Sequence, residues 1–372
     1  MAEQIVKPDL KFINDVIAAG GESLKKCFQC ATCSVVCNVT PDDRPFPRKE
    51  MVHAQWGLKD RLFANPDIWL CHQCSDCTAY CPRGAKPGEV LGAVRKLSLQ
   101  HYSTPGFLAK MVGDPKFLVL LLAVPAVIFL LIITYMGNLN MASIPRGEEG
   151  GIVYAKFIPV PFIDAVFIAA ATFAAIVFVT GVLKYWKDMS QGVSLSGSLG
   201  ASIIAVVTDI LSHKRFRKCD VTKGRSTSHM LVFFSFVGLA ITTTIAVVYI
   251  YGLKWESPYP LSDPMKILGN ASAAALLLGL ALVIINRLKN VDKAGIGSYY
   301  DWLFIGVVTS VVVTGVLSEL LRLGDIAQMA YPIYFIHLVT VFFLFAYAPF
   351  SKMAHMVYRA TAMVFAKQSG RE

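Results

Sequence analysis

Two cysteine runs with the same spacing lie within the first 81 residues and hold eight of the nine cysteines. The first is Cys27-x2-Cys30-x2-Cys33-x3-Cys37, and the second is Cys71-x2-Cys74-x2-Cys77-x3-Cys81, followed by Pro82. In two-cluster iron–sulfur domains this spacing holds [4Fe–4S] clusters, and the fourth cysteine of each run ligates the other run's cluster. The pattern therefore predicts one cluster held by Cys27, Cys30, Cys33 and Cys81, and a second held by Cys71, Cys74, Cys77 and Cys37.

Two other uses of cysteine fit the pattern less well. Structural zinc sites are built from cysteine pairs, or from cysteines with histidines, and need no third and fourth thiol so close in the chain. A disulfide framework suits small secreted domains, and the N-terminus has no feature of a cleavable signal peptide. The first run is less regular than the second, because Asn38 follows its last cysteine where proline is usual, and Pro41 comes three residues later.

The composition divides the chain into two domains. Of the 372 residues, 55% are hydrophobic and only 16% are charged, and the apolar excess lies after residue 116. We therefore expect a soluble redox domain over residues 1–105 and a membrane domain over residues 106–372. The formal net charge is +10. Much of this basic excess flanks hydrophobic spans, where Lys and Arg set topology, so we expect no nucleic-acid partner.

Six apolar runs are long enough to cross about 30 Å of hydrocarbon. They are Phe117–Tyr135, Phe162–Leu183, Met230–Tyr251, Ala271–Ile285 with its flanks, Trp302–Leu320 and Ile333–Phe350. If the N-terminal domain is inside, the inner segments 184–228, 286–300 and 351–372 carry 15 Lys and Arg, whereas the outer segments 137–161, 251–268 and 321–331 carry 5. The positive-inside rule therefore predicts a multi-pass protein of the cytoplasmic (inner) membrane, with both termini and the clusters in the cytoplasm.

Shorter segments connect the two predicted domains. Residues 88–101 are expected to form a helix that packs on the clusters, and Ser103–Gly106 to break the chain. The apolar segment Ser202–Leu211 is expected to lie along the membrane surface. His213, in the basic stretch after it, is interpreted as a residue that contacts lipid headgroups or a neighbouring protein, and Cys219 as a free thiol without an assigned role.

Histidines in membrane spans form a second candidate centre, since intramembrane ionisable residues are rare and commonly functional. His229 opens the third span, and His337 and His355 lie eighteen residues apart near the two ends of the last one. Eighteen residues make five helical turns, or about 27 Å, so the last two would share a face near opposite membrane surfaces. His229 matches His355 in depth. The pattern predicts His229 and His355 as axial ligands of an inner haem and His337 as a ligand of an outer one.

The alternative is that these histidines only make polar contacts between helices. Burying an imidazole near the bilayer midplane without a hydrogen-bond partner would cost a few kcal/mol. This cost argues against a His337 that has no ligand or partner. A visible absorption spectrum separates the two interpretations, because an anchor without redox groups has no haem bands.

The residues carry a resemblance to known families. The C-terminal domain resembles the haem b (gamma) subunit of respiratory nitrate reductases, whose closing helix has two histidines eighteen residues apart and ends in Phe-Ser-basic-x-x-His, here Phe350 to His355. The N-terminal domain resembles the small iron–sulfur subunit of heterodisulfide reductases. Their fusion is similar to the C subunits of quinone-interacting membrane-bound oxidoreductase (Qmo) complexes of sulfate reducers. One departure is Leu239, which stands ten residues after His229, where the nitrate reductase family has the second ligand of the outer haem.

The resemblance implies a mainly α-helical protein: a small, ferredoxin-like, all-helical domain with two [4Fe–4S] clusters, followed by a six-helix transmembrane bundle of the cytochrome b type. It also implies an electron-transfer subunit of a quinone-dependent oxidoreductase complex. Electrons would pass from menaquinol through haem b and the clusters to flavin-containing iron–sulfur partner subunits, and on to adenylylsulfate reductase. The alternatives are an equivalent module of another sulfur-metabolising or heterodisulfide-reductase-like complex, and a non-redox membrane anchor.

Overall fold

The computed structural model describes residues 7–148, 150–213, 218, 225–291 and 297–371. Cys219, interpreted above as a free thiol, lies outside these residues. The described chain is helical and contains no β-strand, which confirms the mainly α-helical fold.

The N-terminal part consists of short helices around the two cysteine runs. They are Leu10–Val16 (α1), Thr32–Val35 (α2), Arg48–Gln55 (α3), Lys59–Phe63 (α4), Asp67–Leu70 (α5), Asp76–Ala79 (α6), Pro87–Tyr102 (α7) and Gly106–Val112 (α8). The predicted helix at residues 88–101 is therefore present as α7. It begins at Pro87, whose missing N–H costs nothing at a first helical position, and its buried face includes Val90, Leu91 and Val94. The chain breaks between Tyr102 and Gly106, as expected.

The C-terminal part is a helical bundle. Its helices are Leu118–Tyr135 (α9), Tyr154–Phe157 (α10), Val160–Met189 (α11), Leu199–Ser212 (α12), Arg225–Val247 (α13), Pro264–Lys289 (α14), Tyr299–Leu323 (α15), Ala327–Ala346 (α16) and Ala354–Gln368 (α17). Among the described residues, six helices are long and apolar enough to span a membrane: α9, α11, α13, α14, α15 and α16, with α9 and α13 extended by short flanking turns. The predicted number of spans is confirmed.

The last predicted span has different bounds in the structure. We expected a helix that continues through Phe350 to His355, but α16 ends at Ala346 and a 3₁₀ turn occupies Ala348–Phe350. Pro349 lies in that turn, and a proline ring lacks the N–H that an α-helix would need there. His337 and His355 therefore lie on two different helices, and the expectation of one shared helical face was wrong.

The N-terminal part packs against one end of the bundle. Tyr102 Oη donates a hydrogen bond to Asp188 at the C-terminal end of α11, and Ser103 Oγ donates to the carbonyl of Pro349. The ring of Trp69 stacks on Tyr358 of α17, with 5.2 Å between centroids. One apolar core runs through both parts, so the cysteine loops are held firmly against this end.

Candidate functional site

The two cysteine loops have the same backbone conformation. Gln29 and Ala31 in the first loop, and Gln73 and Ser75 in the second, all have positive φ, between 50° and 70°. Non-glycine residues in this region are strained and concentrate at functional sites, and alternation of the two helical hands turns backbone N–H groups toward one concavity that binds anions. Gln73 N–H points at the sulfur of Cys71, 3.4 Å away. The equivalent conformations indicate two equivalent anion-binding sites.

The first set of thiols surrounds a cavity. Cys27, Cys30, Cys33 and Cys81 all line the same partly open cavity. Burial raises the pKa of Cys33 to about 11, with smaller contributions from the thiols of Cys27, Cys30 and Cys81. The fourth thiol of this cavity thus comes from the second cysteine run. Four thiols around one space suit an iron–sulfur cluster, in which each iron takes one thiolate.

The second set is grouped in the complementary way. Burial raises the pKa of Cys37 to about 12, and the thiols of Cys71 and Cys74 lie near enough to add to the shift. Burial also raises the pKa of Cys77, whose neighbours include Cys71, Cys74, Cys33 and Cys37. Cys37, from the first run, therefore lies among the cysteines of the second. Ligation of the two clusters by these sets stays a prediction. Among the described residues, no group of three or more Cys, His, Asp or Glu side chains has the close arrangement that would hold a single metal ion.

His229 has a partner that the sequence did not indicate. The Nε2 atom of His213 lies 3.1 Å from Nδ1 of His229, and Nδ1 of His213 lies 3.3 Å from the carbonyl oxygen of Leu211. His213 is 3% exposed. The interpretation of His213 as a headgroup or docking residue was therefore wrong, because α12 ends in a left-handed turn at His213 that directs the ring inward.

These contacts determine which nitrogens carry protons. The Leu211 carbonyl can only accept, so Nδ1 of His213 is the donor, and in the neutral ring its Nε2 accepts from Nδ1–H of His229. In neutral His229 the lone pair is then on Nε2. A metal-ligating histidine has this arrangement, with its second N–H held by a neighbouring acceptor.

His355 is also held by a hydrogen bond from its Nδ1 atom. Its Nδ1 donates to the carbonyl of Lys352, which leaves Nε2 with the lone pair. Burial lowers the pKa of His355 to about 3, and the imidazole of His229 lies close enough to contribute to that shift. His229 and His355 thus lie at the same end of the bundle with ring tautomers that suit metal ligation, and these residues fit a haem. Their role as ligands stays a prediction.

His337 lies in α16, against α15. Its Nδ1 lies 3.1 Å from the carbonyl oxygen of Val311 and 3.1 Å from Oγ1 of Thr314. Gly315 faces the ring so closely that an added Cβ would lie 3.1 Å from Cε1. The argument that His337 would lack a partner without haem was therefore wrong, since an interhelical hydrogen bond satisfies Nδ1. An outer haem at His337 remains a prediction from sequence alone.

Three arginines that the sequence analysis did not single out hold the second cysteine loop. Arg95 Nη1 donates to the carbonyl of Ile68, and Nη2 to Oε1 of Gln73, at 2.8 Å each. Arg225 Nη1 donates to the carbonyl of Gln73 at 2.6 Å. Arg359 reaches the carbonyl of Cys71 at 3.5 Å and contacts the ring of His72. The only sequence signal was that Arg225 and Arg359 each lie four residues from a candidate histidine ligand.

Comparisons with known proteins separate the two parts of the chain. The 4Fe-4S dicluster domain matches residues 23–85, and the citrate utilization protein B family matches residues 113–372. Citrate utilization protein B of Escherichia coli is 26% identical over 373 residues, which are 96% of this chain and 93% of that protein. No solved structure matches the chain.

Two relatives come from heterodisulfide reductases. The C subunit of the H(2):CoB-CoM heterodisulfide,ferredoxin reductase of Methanothermobacter marburgensis is 38% identical over 112 residues, 28% of this chain. The chain spans only 57% of that relative's length. The E subunit of the dihydromethanophenazine:CoB--CoM heterodisulfide reductase of Methanosarcina thermophila is 24% identical over 191 residues, 48% of this chain and 71% of that protein.

These matches agree with the two-part organisation: an iron–sulfur domain similar to the C subunits of heterodisulfide reductases, joined to a membrane domain. The family pattern at residues 113–372 covers well over half of the 372 residues. The chain therefore belongs to the citrate utilization protein B family.

Proposed function

We propose that this protein is the membrane electron-transfer subunit of a quinone-dependent oxidoreductase complex, and that it relays electrons between menaquinol and soluble flavin-containing partner subunits. Haem b and two [4Fe–4S] clusters would carry the electrons. The relationship to iron–sulfur subunits of heterodisulfide reductases supports the redox role.

One observation carries the proposal: the second cysteine loop touches the candidate haem site. Arg225, which donates to Gln73 of that loop, lies one helical turn before His229 on α13. Arg359, which donates to Cys71, lies one turn after His355 on α17. The order of transfer that follows is haem, then the cluster of Cys71, Cys74, Cys77 and Cys37, then the cluster of Cys27, Cys30, Cys33 and Cys81.

The protein's own part is to hold and orient these groups. Haem and the clusters, when bound, supply the one-electron chemistry. His213 and the Lys352 carbonyl accept from Nδ1 of His229 and His355 and so fix the two rings. The cysteine loops turn backbone N–H groups toward the thiolates.

The proposed cluster of Cys27, Cys30, Cys33 and Cys81 would lie beside a surface suited to a soluble partner. Phe28, Val35 and Tyr80 stand next to its cysteines and are 63%, 82% and 52% exposed. Arg83 stacks over Phe28, with 3.9 Å from guanidinium carbon to ring centroid. Exposed apolar groups of this kind beside a redox centre favour docking of another protein, and we assign this face to the flavin-containing partner.

The proposed location is the cytoplasmic membrane, with the iron–sulfur domain, residues 1–105, on the cytoplasmic side of the membrane domain, residues 106–372. The excess of Lys and Arg in the segments at that end of the bundle supports this orientation. Fusion of cytoplasmic domain and bundle would let electrons leave the membrane without a separate carrier.

Two pathways are candidates for the final acceptor of the electrons. The resemblance to Qmo C subunits points to adenylylsulfate reductase and sulfate reduction. A second candidate is a complex that acts in citrate utilization, favoured by the match to the Escherichia coli protein over nearly the whole chain. Purification of the chain with its native partners, followed by identification of the subunits, decides between them.

The redox role itself is tested by optical spectroscopy of the purified complex. We expect low-spin haem b bands that appear on reduction by a menaquinol analogue, together with iron for two clusters. Either His229→Leu or His355→Leu should abolish the inner haem signal, whereas His101→Leu, in the iron–sulfur domain, should keep it. A complex without haem bands would support a membrane anchor instead, and haem quantification in His337→Leu would show whether an outer haem exists.

A further inference from the structure

The second cysteine loop is held by three arginines from three different helices. Arg95 comes from α7 of the iron–sulfur domain, Arg225 from the start of α13, and Arg359 from α17. All three donate to carbonyl oxygens between Ile68 and Gln73, at 2.6–3.5 Å. Two of the three belong to the membrane domain, so they tie this loop to the bundle.

The first loop has a weaker version of the same contact. Arg48 Nε donates to the carbonyl of Gln29 at 3.0 Å, the position equivalent to Gln73, and Arg83 lines the same cavity as the cysteines. Arg48 and Arg83 are exposed, whereas Arg95, Arg225 and Arg359 are partly buried. Solvent and salt screen exposed charges much more than buried ones, so the field at the second loop is the stronger.

A positive field acts differently on the two oxidation states of a cluster. Reduction adds one electron to a group that is already anionic, and nearby cations stabilise the product more than the starting state. Guanidinium groups stay charged at any working pH. The carboxylate of Asp76, buried in the same loop, opposes them, but one carboxylate against three guanidinium groups leaves an excess of positive charge.

We infer that Arg95, Arg225 and Arg359 are positioning residues that hold the second cluster against the membrane domain and raise its reduction potential above that of the first cluster. The inference rests on the proposed ligation of the two clusters. The cluster next to the candidate haem would then be reduced first, and the cluster at the exposed face would be the stronger reductant.

Redox titration followed by electron paramagnetic resonance tests the inference on the full chain purified with its partner subunits. Cys77→Ser identifies the signal of the second cluster in otherwise unchanged protein. We expect that signal to titrate at the higher potential. Arg359→Gln and Arg95→Gln should each move it to lower potential and leave the first cluster's potential unchanged. The matched control, Arg48→Gln, should move only the first cluster, and by less.

Iron content per chain separates the possible failures. A chain without two clusters overturns the proposed function. Two clusters with unchanged potentials in both arginine variants, or a second cluster with the lower potential in the native protein, overturn only the present inference. If a glutamine variant loses the second cluster, the corresponding lysine variant is used to test the electrostatic role. Arg359→Lys keeps the charge and should keep the potential, and a potential lowered despite the retained charge would contradict the electrostatic role.

Discussion

The ring of His213 fixes the proton on His229. Because Nδ1 of His213 faces the carbonyl of Leu211 and its Nε2 faces His229, only one arrangement of protons satisfies both contacts when both rings are neutral. Nδ1 of His229 must be a donor, and its lone pair is then on Nε2. A buried histidine that supports another histidine cannot be recognised from residue types alone.

Replacement of His213 tests this support. His213→Leu removes the acceptor for Nδ1–H of His229, and loss of such an outer partner typically costs 10–100-fold in metal affinity. We therefore expect haem affinity to fall by roughly that factor, measured by titration of haem into the purified apoprotein and by the low-spin absorption bands. His53→Leu, in α3 of the iron–sulfur domain, serves as control and should leave the affinity unchanged. Equal affinities in both variants would mean that His213 has no part in holding His229.

Glu50 gives the iron–sulfur domain a pH dependence. Its side chain is fully buried, accepts a hydrogen bond from Asn65 Nδ2 at 2.8 Å, and has Lys49 Nζ at 3.5 Å. Burial raises the pKa of Glu50 to about 7, and the nearby carboxylate of Asp67 adds to the shift. Between its ordinary pKa of 4.5 and this value, the folded protein holds a proton that the unfolded chain has released. Stability therefore falls as the pH rises through this window and levels off above it.

Glu50→Gln should remove this effect while its amide oxygen still accepts from Asn65. We expect the variant to unfold at a higher temperature than the native protein at pH 8, with the difference shrinking toward pH 5.5. Scanning calorimetry of the detergent-solubilised chain measures both. The exposed Glu22→Gln variant is the control and should follow the native curve at every pH. Parallel curves for Glu50→Gln and the native protein would rule out a proton held by Glu50.

At the scale of helices, α11 and α17 approach each other through one glycine. A Cβ added at Gly181 would overlap the hydroxyl of Tyr358 and lie 3.3 Å from the carbonyl oxygen of Tyr102. The rings of Tyr102, Tyr185 and Tyr358 form a buried cluster here, with centroids 5.3–6.3 Å apart. This aromatic cluster joins the iron–sulfur domain to the bundle, and glycine lets the three elements meet.

Gly181→Leu should open that junction. Overpacking of a filled core costs about 1–3 kcal/mol, so we expect a lower thermal unfolding temperature and a looser attachment of the iron–sulfur domain. Gly200→Leu in α12 is the matched control, because nothing lies within 4 Å of a Cβ added there. Limited proteolysis between α7 and α8 measures the attachment. Equal cleavage rates in the two variants would contradict the role of Gly181 in attaching the iron–sulfur domain to the bundle.

The sequence predicted most of the elements because their signals are local. Each of the six spans is a long apolar run, and α7 combines a proline start with an amphipathic repeat. The break at 347–353 was missed, because the apolar run continues into Phe350 and eighteen residues happen to equal five helical turns. The contact of His213 with His229 was also missed. It depends on where the end of α12 lies relative to the start of α13, which no local pattern specifies.

At the scale of the whole molecule, the elements that carry the cysteine loops and the candidate ligands His229 and His355 meet at one end of the bundle. The C-terminal end of α11, the turn that follows α16 and the start of α13 all contact the iron–sulfur domain or its loops. The opposite end is closed by polar contacts of its own, such as the ion pair of Arg146 with Asp325 at 2.6 Å.

The predicted exchange of fourth cysteines would also make the iron–sulfur domain a single cooperative unit. Cys37 lies near Cys71 and Cys74, and Cys81 lines the cavity of Cys27, Cys30 and Cys33. Each cluster would then join residues from both runs, so that neither half of the domain could bind its cluster alone. This topology predicts which cluster each substitution damages.

Cys37→Ser should perturb the cluster of Cys71, Cys74 and Cys77 and leave the other near normal, because Cys37 would be its fourth thiolate. The reciprocal variant, Cys81→Ser, should damage the cluster of Cys27, Cys30 and Cys33. Electron paramagnetic resonance of the reduced chain, with the two signals assigned through Cys77→Ser and Cys33→Ser, measures both effects. Cys219→Ser is the control and should retain both clusters. If Cys37→Ser damaged only the cluster of its own run, each run would supply all four of its own ligands and the exchange would be excluded.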